Sequence, residues 1–203
     1  MKENRIEFSA PENANFISVW SALPPELCED LIEFHKTHSN LHRAGAIGTG
    51  AIDERHKKST DVTIEPVDLE KPGYEPFNDY LAALHECYRD YCDQWPFLKS
   101  YLTRTLVGAF NFQKYEVGGH FSRIHSERME YSVLNRILVW MTYLNDVEEG
   151  GETEFPHFGL KIKPKAGKTI IWPAEWTHAH RGCPTISGQK YILTGWFLQP
   201  PDI

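Results

Sequence analysis

His125 and Glu127 close the stretch Y-E-V-G-G-H-F-S-R-I-H-S-E (115–127), and their types and spacing suit metal chemistry. On a β-strand, residues two apart point to the same face, so one imidazole and one carboxylate would converge on a single point. A second histidine comes much later, in T-H-A-H-R-G-C-P, where His178 and His180 would share one strand face and either could be the partner. Two imidazoles and one carboxylate on one side of a metal are the facial arrangement that suits non-haem Fe(II) and leaves positions open. Lys190 opens the string K-Y-I-L-T-G-W-F, with Ile192, Thr194 and Trp196 on its face if the string is a strand. A lone lysine pointing into an apolar interior is costly without an anion, so Lys190 predicts a bound carboxylate.

Six strings in order carry a wider pattern: Y-x-x-G-G running to H-x-E (115–127), R-I-L-V-W-M-T-Y-L-N (136–145), G-G-E-T-E-F-P (150–156), P-K-A-G (164–167), H-R-G-C-P (180–184) and K-Y-I-L-T-G-W-F (190–197). Each is weak alone. Together they resemble the 2-oxoglutarate/Fe(II)-dependent dioxygenases, in particular the prolyl 4-hydroxylase-like branch, over about half of the chain. The resemblance implies that His125, Glu127 and His180 hold Fe(II), with His178 in a supporting role. It implies that Lys190 and Thr194 anchor the far carboxylate of 2-oxoglutarate, that Tyr143 also reaches that carboxylate, and that Tyr115 lines the same pocket. The cofactors it implies are Fe(II), 2-oxoglutarate as cosubstrate and O2, with ascorbate as a stimulant. The reaction it implies is hydroxylation of an unactivated C–H bond with release of succinate and CO2. One departure stands out: the carboxylate is a glutamate, where this branch usually has aspartate. The extra methylene requires a more distant backbone or a folded-back side chain. A carboxylate at that position also argues against a halogenase.

Whole-chain properties bound the partners. With 203 residues, 41% hydrophobic and 24% charged, the chain reads as one globular domain. A net charge of −7 argues against general nucleic-acid binding. No apolar run reaches membrane-spanning length, and the N-terminus lacks the apolar core of a signal peptide. Cys28, Cys87, Cys92 and Cys183 form no C-x-x-C, which points to reduced thiols and a cytoplasmic setting. The oligomeric state leaves no mark on the sequence.

The elements that must position the candidate site follow from periodicity. Residues 16–20 suggest a first strand. Leu27, Leu31, Ile32 and Phe34 recur at helical spacing over about 21–38, with proline tolerated in the first turn. The polar, glycine-bearing stretch 44–60 reads as a mobile surface loop, and 61–65 alternates as a short strand. Phe77, Tyr80, Leu81, Leu84, Cys87, Tyr88 and Tyr91 predict a second helix over about 74–94. From 101 onward, runs rich in β-branched and aromatic residues predict strands near 103–115, 120–126, 136–144, 152–155, 159–163, 168–172, 177–180 and 190–198. The fold class is therefore α+β, mainly β: a helix-rich support over 1–100 backing a strand-built catalytic core over 101–203. The resemblance narrows that core to a double-stranded β-helix of the jelly-roll, cupin-like type.

Substrate contacts are the least determined. Arg136, Arg181 and Trp172 are candidates, with Arg123, Asn111 and Gln113 also near the expected entrance, and 44–60 a candidate lid through Arg55, Lys57 and Lys58. The branch suggests a prolyl residue in a peptide or protein, and small-molecule hydroxylases share the same motifs. A non-catalytic cupin-like binding module is a further reading, which the intact triad and Lys190 oppose. A zinc hydrolase is another, since two His and one Glu also hold zinc, but no H-E-x-x-H occurs.

Overall fold

The computed structural model describes residues 5–6, 15–48 and 50–201, with only the backbone described at 5–6. In chain order the strands and α-helices are β1 (Arg5–Ile6), β2 (Ser18–Ser21), α1 (Pro25–Thr37), β3 (Arg43–Ala44), β4 (Lys57–Lys58), β5 (Thr60–Ile64), α2 (Glu75–Gln94), α3 (Phe97–Tyr101), β6 (Leu106–Val107), β7 (Phe110–Tyr115), β8 (His120–His125), β9 (Arg136–Tyr143), β10 (Thr153–Phe155), β11 (Leu160–Ile162), β12 (Lys168–Pro173), β13 (His180–Gly182) and β14 (Lys190–Leu198). A large antiparallel sheet runs β1-β2-β12-β9-β14-β7-β5-β3, with β6 on the end of β14. A smaller sheet runs β11-β10-β13-β8-β4.

The large sheet is covered on both faces, which explains the unbroken apolar run of β9. Leu138 and Trp140 pack with Leu193 and Phe197 of β14 and with the buried faces of α1 and α2. The alternate residues Val139, Met141 and Tyr143 turn the other way, toward Ile170, Trp172 and Ile192 and toward Phe155 and Ile162 of the small sheet. Pro25 sits in the first turn of α1, where its missing N–H costs nothing. On α2, Phe77, Tyr80, Leu84, Cys87 and Tyr91 form the buried stripe. Buried polar bonds lock that helix to the sheet. Trp20 Nε1 donates to Asp90 at 2.9 Å, and Tyr80, Thr142 and Thr169 form a hydroxyl chain with 3.0 and 2.7 Å links.

Two sheets facing each other with helices outside one of them fulfil the expected jelly-roll class. Three expectations change. The segment 103–115 breaks into β6 and β7 around Gly108. The segment 177–180 is not a strand: Trp176–His178 is a 3-10 turn, and β13 begins only at His180. The stretch 44–60 is no free loop, since it enters β3 and β4, one strand in each sheet, and Lys57 within it is 4% exposed. Strands from the helix-rich first hundred residues join both sheets: β2 pairs with β12, and β4 with β8. Among the described residues, no helix is long and apolar enough to cross a membrane.

Candidate metal and cosubstrate site

Where the two sheets face each other, β8 and β13 pair so that His180 lies directly opposite His125. Glu127 follows β8, and its backbone N–H donates to Ala174 at 3.2 Å, which turns the chain inward. The three side chains converge: Glu127 Oε1 is 3.5 Å from His125 Nε2 and 3.4 Å from His180 Nε2. Among the described residues, these three form the one group of His, Cys, Asp or Glu placed to hold a metal, with ligand atoms all within 4.8 Å.

The protonation pattern fits a cation. His125 Nδ1 donates to the Arg123 carbonyl at 2.8 Å, and His180 Nδ1 to the His178 carbonyl at 3.1 Å. A carbonyl only accepts, so each Nδ1 carries the proton and each Nε2 presents a lone pair when the ring is neutral. Burial, reinforced by the nearby His125, pushes His180 below the usual histidine range, toward that neutral form. Burial works against the Glu127 charge, but without a metal, hydrogen bonds and charge from protonated His125 and His180 outweigh it and hold the carboxyl well below its ordinary range; a cation at the same point would take over that part once the rings are neutral. Three electron-pair donors facing one point leave room for a positive ion at their centre, and this donor set fits Fe(II).

Each ligand is braced. Phe121 stacks on His125 with centroids 3.9 Å apart, and Trp172 meets His180 edge-on at 5.0 Å. The second oxygen of Glu127, Oε2, accepts from Trp196 Nε1 at 2.9 Å and faces Arg136 at 3.4 Å. Arg136 in turn lies flat over the Trp196 ring, 3.5 Å from its centroid.

The triad opens into a cavity of about 480 Å³ between the sheets, lined among others by Lys190, Tyr115, Thr194, Trp172 and Arg136. Lys190 is 2% exposed, lies 4.4 Å over the Tyr115 ring and donates to the Gly151 carbonyl at 3.0 Å. Gly150 and Gly151 both take positive φ, and a Cβ at Gly150 would sit 2.3 Å from the Pro184 carbonyl. Only glycine fits there, and the turn aims the Gly151 carbonyl at Lys190. Burial drags the Lys190 ammonium down to about 8. Thr194 Oγ1 donates to the Trp140 carbonyl at 3.0 Å, and Tyr115 donates to Gln113 at 2.6 Å.

Not every predicted residue is at the cavity. Tyr143 is fully buried behind the wall, with its hydroxyl bonded to Thr153 at 2.6 Å and to the Ile162 carbonyl at 3.1 Å. Thr153 takes its place on the lining. Arg181 does not line the cavity: His180 points inward, so its neighbour on the strand points out, where it bonds Glu154 at 2.6 Å. His178, in its 3-10 turn, faces the Asn15 carbonyl at 2.8 Å and the Phe158 ring. Lys57 meets Asp61 at 2.6 Å instead of closing over the entrance, and Arg55 pairs with Asp53. Sequence reasoning missed the parts of Trp196 and Thr153. Strand parity put Trp196 on the face of Lys190, which was signal enough to find it.

Residues 110–198 match the 2OG-Fe(II) oxygenase superfamily. Prolyl 4-hydroxylase 13 of Arabidopsis thaliana is 30% identical over 114 residues, 43% of this chain and 42% of that protein. The chain thus spans about two fifths of the length of that relative. A Pseudomonas putida prolyl-4-hydroxylase structure superposes with TM-score 0.70 at 20% identity, covering 93% of this chain and 95% of its own. A viral collagen prolyl hydroxylase from Paramecium Bursaria Chlorella virus-1, solved as a 2OG complex, superposes with TM-score 0.68 at 18% identity, covering 95% and 100%. At these identities the two structures speak for the fold. The match to the 2OG-Fe(II) oxygenase superfamily thus falls on the residues that hold the triad and Lys190, and the likeness among the relatives is to the prolyl 4-hydroxylases.

Proposed function

We propose that this protein is a 2-oxoglutarate- and Fe(II)-dependent oxygenase. It would convert 2-oxoglutarate, O2 and a substrate R–H into succinate, CO2 and R–OH. The observation that carries the reading is the pairing, in one cavity, of the His125–Glu127–His180 donor set with a buried lysine that has no carboxylate partner among the described residues. Bound there, Fe(II) would supply the activation of O2 that organic side chains cannot provide.

The side chains have separate tasks. His125, Glu127 and His180 hold the metal on one side, leaving its other side to face the cavity. Lys190, with Thr194 further along the same face of β14, receives the far carboxylate of 2-oxoglutarate. Tyr115 places an aromatic face against the ammonium. Trp172, Met141 and Ile192 keep water from that end of the cavity. Arg136 lines the cavity beside Glu127, where it can orient a substrate carbonyl or carboxylate. The prolyl 4-hydroxylase likeness favours a proline within a peptide or protein as substrate, with a small-molecule substrate as the second reading.

The test is succinate formation from 2-oxoglutarate in protein reconstituted anaerobically with Fe(II) and then exposed to O2. Succinate that requires both iron and Glu127 supports the reading. No succinate, together with no visible absorption band on anaerobic addition of Fe(II) and 2-oxoglutarate, would sink it.

A further inference from the structure

The charge of the cavity differs from that of the chain around it. The whole protein carries −7. Five Lys or Arg residues line the cavity, against three Asp or Glu residues. Each of the three acids is occupied. Glu127 belongs to the metal site. Asp61 accepts from Lys57 at 2.6 Å and from Ser59 at 2.7 Å. Glu130 acts with Glu127 to hold charge on Arg136, against the burial that disfavours it. With Lys190 assigned to the cosubstrate, two guanidinium groups remain: Arg43 and Arg123. Among the described residues, neither has a carboxylate partner. Arg43 reaches only the backbone carbonyls of Asn40 and His42, at 3.1 and 2.7 Å.

Strand parity sets where they stand. Arg123 precedes His125 by two positions on β8, so it shares the face of that ligand and lies about 7 Å along the strand from it. Arg43 is the register partner of Asp61, which in turn faces Gln113 on β7. Antiparallel partners share a face, so Arg43 ends a row that grades from apolar Ile192, through Gln113 and Asp61, to a cation at the sheet edge. The entrance therefore has one guanidinium on each sheet, with the triad further in. Such focused charge on an acidic protein selects for an anion.

We infer that the substrate carries a carboxylate, and that Arg123 and Arg43 hold it across the cavity entrance and so turn the reacting carbon toward the metal. This rests on the oxygenase reading. It adds that charge, beyond shape, decides what is oxidised.

The test uses the full chain loaded anaerobically with Fe(II) and 2-oxoglutarate, followed by the visible band of the loaded site and then by succinate release on admitting O2. Proline and prolinamide form one matched pair. A peptide with glutamate beside proline and the same peptide with glutamine form the other. Wild-type protein should prefer the acid in one pair by at least tenfold in kcat/KM, and the pair that responds identifies a free carboxylate or an acidic side chain as the source. Arg123→Gln and Arg43→Gln should shrink that preference through KM, more than through kcat, and added salt should weaken it in the wild type. Equal response to acid and amide, or no response to any of the acids at millimolar concentration, overturns the inference while a persisting absorption band leaves the oxygenase reading standing. Loss of the band itself would remove both. A comparison of acid with amide in wild-type protein decides the matter even where a variant fails to fold.

Discussion

Replacing Lys190 with methionine should make the ligand-free protein more tolerant of neutral pH, and the gain should vanish in alkali. Burial lowers the Lys190 ammonium from 10.5 to about 8. Each pKa unit corresponds to about 1.4 kcal/mol, so the folded chain carries a charge cost of about 3 kcal/mol. Below pH 8 the amine is charged in both folded and unfolded chains, and the full cost is present. Between pH 8 and 10.5 the unfolded chain binds more protons than the folded one, so stability rises with pH. Above 10.5 both states are neutral and the cost has gone. Lys190→Met has no such step. It loses the 3.0 Å bond to the Gly151 carbonyl, which costs about 1–3 kcal/mol at every pH. The difference between variant and wild type should therefore fall by about 3 kcal/mol from pH 7 to beyond pH 10.5, whatever its starting value. Urea unfolding of both proteins at a series of pH values measures it, because titrations common to both cancel. Saturating Fe(II) and 2-oxoglutarate under argon should move the wild-type step upward, since an anion beside Lys190 restores its charge. A difference that stays flat across that pH range would refute the claim that Lys190 is a buried, unpaired ammonium awaiting a carboxylate.

Three further changes probe the frame around that site. Trp196→Phe keeps a ring under Arg136 but removes the 2.9 Å bond to Glu127 Oε2; anaerobic metal titration should show affinity about 10- to 100-fold weaker. Asp61→Asn breaks the buried pair with Lys57 and should destabilise by about 3–5 kcal/mol, with the Lys57→Met, Asp61→Asn double variant costing less than the two single changes together, as read by chemical denaturation. Gly195→Ala would place a Cβ 2.4 Å from the Trp140 ring and 2.8 Å from the Phe110 Cβ; thermal unfolding should report a loss of about 1–3 kcal/mol from overpacking between β14 and its neighbours.

How much was legible in the sequence follows from which physical rule fixes each residue. Period-two arguments worked where a strand is straight: Lys190, Thr194 and Trp196 share one face of β14, as the string K-Y-I-L-T-G-W-F predicts. They failed where the chain changes conformation within a few residues. T-H-A-H looks like a strand, yet the 3-10 turn over Trp176–His178 rotates His178 toward Asn15 and leaves His180 alone to face His125. Parity puts Tyr143 on the inner face but gives no depth, and Thr153, arriving from another strand, stands between it and the cavity. The Lys57–Asp61 pair was hidden for a related reason. Its members lie four apart in a polar stretch, and only the pairing of β4 with β8 and β5 with β7 buries them together.

Glu127 itself shows how the fold accommodates a longer ligand. A glutamate in place of an aspartate brings an extra rotatable bond and a carboxylate free to swing or to offer both oxygens to a metal. Here Oε2 is drawn away from the imidazoles by the Trp196 indole and the Arg136 guanidinium, and only Oε1 faces both Nε2 atoms. The carboxylate is thus placed to ligate through one oxygen, which keeps the open positions that cosubstrate and O2 require. The same two side chains border the cavity in which the substrate would lie, so a group that displaces Arg136 from Glu127 would also loosen the ligand. Substrate placement and metal geometry are in this way joined through one carboxylate oxygen, and the Trp196→Phe titration reads that joint directly.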